Sequence, residues 1–214
     1  MAKVKEGIVL GGISGRAGNA VFAQTPNGTV LRERPLVNDP RSPRQQANRQ
    51  NLARIGDAWR NLTLAQAESW ADYANREAGS SSSNRARPNL FFTALSFKFL
   101  QMNPGAELPL DPPDSPFMGD AVRFSVSAVG GSVELTPDRS NSDGVVTEVL
   151  LQPLLSAHRR TYLSRYRSAG FVTFKGGVPE QFGVDSRFCA VAVRFVCAAT
   201  GQSTALVELG KFGV

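Results

Sequence analysis

The sequence predicts an α+β protein in which a β-hairpin, a helical hairpin and a third helix precede an all-β segment. Three observations carry this reading. The alternating runs NAVFAQT and TVLRERP flank a Pro26-Asn27-Gly28 turn, the strongest short-range hairpin signal. Ser42 and Thr63 are each followed three residues later by a glutamine and then by apolar residues at steps of three and four, which marks two helix starts. Beyond a proline-rich stretch, short alternating apolar runs separated by turns fill residues 118–214.

The β part begins earlier, with GIVLGG as a further strand-like run. Between it and the hairpin lies GGISGRAGNAVF, where the spacing of Gly12, Gly15 and Gly18 matches neither a dinucleotide fingerprint nor a P-loop. No Lys-Ser/Thr pair follows, and Ser14 stands directly before Gly15, which is not the frame of a nucleophile elbow. These glycines are therefore expected to supply positive φ or close backbone approach in a sharply turned hairpin. One small hairpin is marginal in water, so it must lean on another element or another chain.

LVNDPRSPRQQ reads as an extended connector that ends at a helix start, with Ser42 as N-cap, Pro43 in the first helical position and Gln45 completing the capping box. The helix should run to about Asn61, with Leu52, Ile55, Trp59 and Leu62 on its apolar stripe and Arg44, Arg49, Arg54 and Arg60 mostly on other faces. A second helix starts at Thr63, carries Ala67, Trp70, Ala71 and Ala74 on one stripe and ends near Gly79. The break at Thr63 places Trp59 and Trp70 on facing helices, where core packing is expected. After the polar loop GSSSSNRARP, NLFFTALSFKFLQM predicts a third helix with Asn89 as its cap, apolar almost all round. Such a helix must be sandwiched between partners. With few residues of the 105-residue half left to cover it, part of its surface, including Phe91, Phe97 and Phe99, is expected to face a neighbouring subunit.

Five prolines between 103 and 117 predict a stiff linker, giving a domain of residues 1–102, a linker of 103–117 and a second domain of 118–214. The runs AVRFSVSAV, SVELT, VVTEVLLQPL, YLSRYRS with GFVTF, RFCAVAVRFVCA and STALVELGKF suggest six or seven strands in about 95 residues, the pattern of a β-sandwich resembling immunoglobulin or fibronectin type III domains. In the fifth run Cys189, Val191, Val193, Phe195 and Cys197 share one face and Arg194 lies on the other; Thr200-Gly201-Gln202 is the following turn. On a straight strand the two cysteines would be roughly 26 Å apart, too far to pair, so they read as buried thiols of a protein folding in a reducing cytoplasm.

The net charge of +6 is local: residues 1–105 hold 14 basic and 7 acidic side chains, the remainder 10 and 11. A basic half favours a negatively charged partner, and Arg16, Arg32, Arg34, Arg41 and Arg44 are the candidate contacts. No apolar run approaches the roughly 20 residues of a membrane span, and MAKVKEGIVLGG has too short an apolar stretch for a signal peptide, so no membrane partner is expected. The single histidine, His158, is followed by Arg159 and Arg160, and the acidic residues are scattered. A His-based triad or metal site has little material here, and neither catalysis nor a cofactor is expected.

Taken in order, SGRAGNAVF (14–22), RERP (32–35), NDPRSPRQQANR (38–49), AWRNLTLAQAESWADYA (58–74) and NLF (89–91) resemble a recurring group of bacteriophage and prophage proteins. With this resemblance go the absence of a catalytic set, the apolar third helix and a hairpin that would gain by pairing with another chain's sheet edge. Together they lead to the expectation of a structural virion protein, assembled in the host cytoplasm: a capsid decoration or minor capsid protein ahead of a tail or baseplate component. It would bind the major capsid protein or other virion proteins through its N-terminal half and form a homo-oligomer. The rival reading is a nucleic-acid-binding protein using Arg32, Arg34, Arg41, Arg44, Arg49, Arg54 and Arg60. These are spread over a strand, a loop and a helix with no base-reading motif, so it is not favoured. A carbohydrate-binding or hydrolytic domain is a third class. Tyr162 and Tyr166 flank Arg165 and Arg167 and offer an adhesive surface, although such alternation is ordinarily surface and core.

Overall fold

The computed structural model describes residues 2–3, 14–26, 28–34, 41–78 and 87–213. The expected strand GIVLGG, Asn27 of the hairpin turn, the connector residues 36–40 and most of the loop 79–88 lie outside them. The chain is α+β, with three helices and three antiparallel sheets among the described residues. It divides into two compact units, residues 1–46 and 47–214.

The first unit is a four-stranded sheet of β1 (Ala2–Lys3), β2 (Gly15–Ala17), β3 (Ala20–Thr25) and β4 (Gly28–Glu33) in the order β1-β4-β3-β2. Thr25 pairs with Gly28 across the expected hairpin turn, and Ala17 pairs with Ala20 across a second two-residue turn, Gly18-Asn19. Gly18 has φ +58°, the left-handed region that a hairpin turn of this length asks of its first residue and that glycine enters without steric cost. Only Thr29 is buried among the residues of this unit whose burial is described.

Helix α1 (Pro43–Arg60) opens as the capping box requires: Ser42 Oγ accepts from the Gln45 N–H at 3.3 Å, and Gln45 Oε1 accepts from the Ser42 N–H at 3.2 Å. Thr63 and Gln66 repeat the exchange at the start of α2 (Leu64–Ala78). The third helix, α3 (Pro88–Met102), starts earlier than expected. Arg87 is its N-cap, without a side-chain cap bond, and Asn89 lies inside the first turn. Pro88 in the first helical position sets that start, because its missing N–H is one of the orphans in any case. Ile55, Trp70, Tyr73, Phe92 and Leu100 make the helical core, in which Trp59 and Trp70 both pack on Phe92, with ring centroids 5.4 and 5.2 Å away.

The proline-rich stretch is bonded on both sides. Prolines lack a donor but keep their carbonyls, and Leu110 O accepts from Trp70 Nε1 at 2.8 Å, Pro113 O from Arg76 at 3.1 Å and Ser115 O from Gln202 at 3.1 Å. Residues 47–102 and the β-rich segment accordingly belong to one unit.

Seven strands follow: β5 (Phe124–Val129), β6 (Ser132–Pro137), β7 (Val145–Leu154), β8 (Arg167–Val172), β9 (Glu180–Gly183), β10 (Phe188–Cys197) and β11 (Val207–Gly213). They form two sheets, β5-β6-β9 and β11-β10-β7-β8. Val133 and Leu135 of the first meet Val149, Leu151, Cys189, Val191 and Val193 of the second, with Phe174 between them, in a single core. YLSRYRS is not a strand: Leu163–Arg165 is a 3-10 turn, and pairing begins only at Arg167. β10 keeps the expected alternation on its core face, yet its other face is covered too, since Ala190 and Ala192 pack with Leu150, Leu154 and Tyr166. Tyr166 is therefore core, laid over the back of the sheet.

Candidate interaction surfaces

The expected arginines divide into two groups. Strand pairing aligns Arg16 with Val21 and Val21 with Arg32, so the three share one face of the first-unit sheet, with the arginine Cα atoms two strand spacings, about 10 Å, apart. Both arginines are exposed, as is Arg34 just beyond β4, whose N–H donates to Asn19 O at 2.7 Å. Arg41 and Arg44 flank the start of α1 and are exposed. Arg41 has φ +47°, and its carbonyl accepts from Gln46 Nε2 at 2.8 Å. Arg44 stands in the first turn of α1, which contains no acidic residue, at the positive end of the helix dipole, an end that favours anions.

Phe91, Phe97 and Phe99 are half-buried and pack against the helical core, Phe91 edge-on to Tyr73 with centroids 5.9 Å apart. Leu95 and the C-cap Asn103 bring α3 against the β-rich segment. A Cβ built on Gly201 would lie 2.2 Å from Leu95 O, and Asn103 Nδ2 donates to Ala198 O at 3.2 Å.

Between α2, α3 and the 194–203 corner lies a cleft of about 360 Å³ whose walls include Tyr73, Phe91, Leu95, Lys98, Phe117 and Arg194. Its two cations are committed to Glu148, a β7 carboxylate only 1% exposed, at 2.9 Å from Lys98 Nζ and 2.5 Å from Arg194 Nε. Burial opposes the Glu148 charge, but hydrogen bonds from Arg194 and Lys98 outweigh it and hold the carboxyl below the usual range. Burial pulls the Lys98 ammonium below its ordinary value, against the attraction of Glu148. Sequence reading missed this triad. Its signal was a lone charge inside each of three apolar runs: TEVLL, SFKFL and AVRFV.

Cys189 is buried, and burial pushes its thiol up, the inert form of a cysteine. Among the described residues no three His, Cys, Asp or Glu side chains converge to hold a metal ion. No helix of the described chain is long and apolar enough to cross a membrane. Compared with protein-family models, curated proteins and solved structures, the chain has no significant match.

Proposed function

We propose that the chain is a structural protein of a bacteriophage particle, a capsid decoration or minor capsid protein that docks on the major capsid protein or another virion protein through its N-terminal half. The observation that carries this reading is the Arg16–Val21–Arg32 row on a sheet in which only Thr29 is buried among the residues whose burial is described. Such a face suits a partner better than a core, and complementary charge would steer and orient the docking. Arg44 adds to it, since a cation at a helix N-terminus is relieved by an anionic neighbour. Lys98 and Arg194 are spent on Glu148, a pairing that gives the cleft's two cations a structural use.

The β-rich segment we read as a fibronectin-like sandwich. In chain order its strands distribute as first, second and fifth in one sheet and third, fourth, sixth and seventh in the other. This is the immunoglobulin-type partition with the fourth strand moved beside the third.

The test is binding of the free chain to purified particles that lack it. Wild type should co-sediment with the shells, and R16E/R32E/R34E should not, while its melting curve is unchanged. Undiminished particle binding by the triple variant would overturn the docking surface. Duplex DNA binding that falls steeply with salt, without particle binding, would favour the nucleic-acid reading instead.

A further inference from the structure

Residues 155–166 join β7 to β8 and, together with Arg167 at the start of β8, hold Arg159, Arg160, Arg165 and Arg167 but no acidic residue. None of the four forms an ion pair among the described residues. Two of them, Arg160 and Arg165, lie over the Tyr162 ring, 5.9 and 4.9 Å from its centroid. Leu155 and Leu163 stand out beside them, 91% and 72% exposed. The loop is held in shape: Gln152 Oε1 accepts from the Tyr162 N–H at 3.1 Å, Lys211 Nζ donates to Arg159 O at 2.9 Å, and Thr161 Oγ1 donates to Glu208 at 3.4 Å. Aromatic and arginine anchors around protruding apolar side chains, ordered in advance, are the makings of an interface hot spot.

A surface of opposite character lies at the other end of the same sheet. A groove of about 400 Å³ is formed by residues 111–118 with Cys197, Thr200 and Gln202. Its lining includes Pro112, Pro113, Phe117 and Met118, and its charged residues are Asp111 and Asp114 alone. Both carboxylates are exposed and in no ion pair among the described residues. Register fixes the placement. Cys197, at the groove, pairs with Val145 at the start of β7, and the basic loop leaves β7 after Leu154. The loop's ties to Gln152 and to Glu208, which stands in register with Ala192 and Leu150, place it about 20 Å along β7 from the groove.

We infer that the groove of one copy of this chain receives the 155–165 loop of a second copy. Leu155 and Leu163 meet Pro112, Phe117 and Met118 of the groove's mixed lining, and Arg159, Arg160 and Arg165 face Asp111 and Asp114. The charges are opposite in sign, and the leucines exposed at one pole meet the exposed Met118 and half-buried Phe117 at the other. The two poles differ, so each contact is heterologous, and in its head-to-tail form it propagates into rings or filaments. The inference concerns residues 103–213 and stands whether or not the first unit docks on a particle.

Sedimentation equilibrium of the full chain tests it. The mass should rise from 23.0 kDa with concentration at low ionic strength and return toward the monomer as salt screens the exposed charges. R160E/R165E and D111R/D114R should each weaken the self-association by about a hundredfold, the scale of like charges set against each other. An equimolar mixture of the two variants should assemble again, because reversed loop meets reversed groove and the native pair persists at the alternate contact. As a second readout, L163C/M118C should oxidise to a ladder of linked chains, the two positions being too far apart to bridge within one. A wild-type chain that stays at 23.0 kDa, growth unchanged in either double variant, or no recovery in the mixture would each overturn the inference. So would binding of oligodeoxythymidylate or of anionic vesicles that R160E/R165E abolishes, without any growth in mass.

Discussion

Lys98 of α3 and Glu148 of β7 meet 2.9 Å apart, and this pair joins the helical core to the back of the four-stranded sheet. Arg194 shares the same carboxylate oxygen from β10. Truncating one partner of a buried ion pair leaves the others charged and unmatched. E148Q is therefore expected to cost about 3 kcal/mol in urea denaturation. The triple replacement E148M/K98M/R194M, which removes all three charges, should cost less than E148Q alone.

The same carboxylate shapes the acid limb of stability. Glu148 is held below the ordinary carboxylate range, and so is Asp120, where hydrogen bonds from Ser142, Asn141 and Ala121 outweigh the effect of burial. A depressed folded pKa contributes stability that is present above the unfolded value and lost as pH falls through the folded one. The melting temperature should accordingly decline from the ordinary carboxylate range downward. In E148Q that decline should be shallower, with the Asp120 part remaining.

Asn141 ties the loop after β6 to the core. Its Oδ1 accepts from the Phe174 N–H at 2.7 Å, its N–H donates to Phe174 O at 3.0 Å, and its Nδ2 donates to Thr147 Oγ1 at 2.9 Å. N141A would strand the amide of buried Phe174 and the hydroxyl of buried Thr147, at a cost of about 2 kcal/mol or more. Loss of hydrogen-exchange protection at the Phe174 amide is the direct readout.

Gly201 has φ +75°, and any Cβ there would collide with the α3 backbone at Leu95. G201A should cost on the order of 2–3 kcal/mol and should shift amide resonances of α3 as well as those of its own turn. A change confined to residues 198–202 would show that the helix is not packed as described.

T63A removes the hydroxyl that accepts from the Gln66 N–H. The loss should be about 1 kcal/mol, restored in large part by T63S.

The helix starts at Ser42 and Thr63 were readable because a capping box is a local exchange within four residues, and the core face of β10 because alternation is local too. Sheet order was not readable: pairing β6 with β9, or β7 with β10, depends on contacts dozens of residues apart. YLSRYRS misled because alternating Tyr and Arg imitate a half-buried strand. In the structure Tyr162 gathers arginines in a turn while Tyr166 covers the sheet. Asn89 looked like a cap because its side chain suits one, yet Pro88 had already set the helix start. The Lys98–Glu148–Arg194 triad escaped because each member, taken alone, is one charge in an apolar run.

The bonds to Leu110, Pro113 and Ser115 determine what a protease cut would do. A nick between residues 106 and 117 would sever the backbone without releasing either piece, because α3 stays joined to the β-rich segment through Lys98–Glu148 and Asn103–Ala198, while Trp70, Arg76 and Gln202 hold the stretch itself. The two fragments should travel together on gel filtration and part only in denaturant. A tag or a cleavage site placed in that stretch would thus report on unfolding, not on the loosening of a tether.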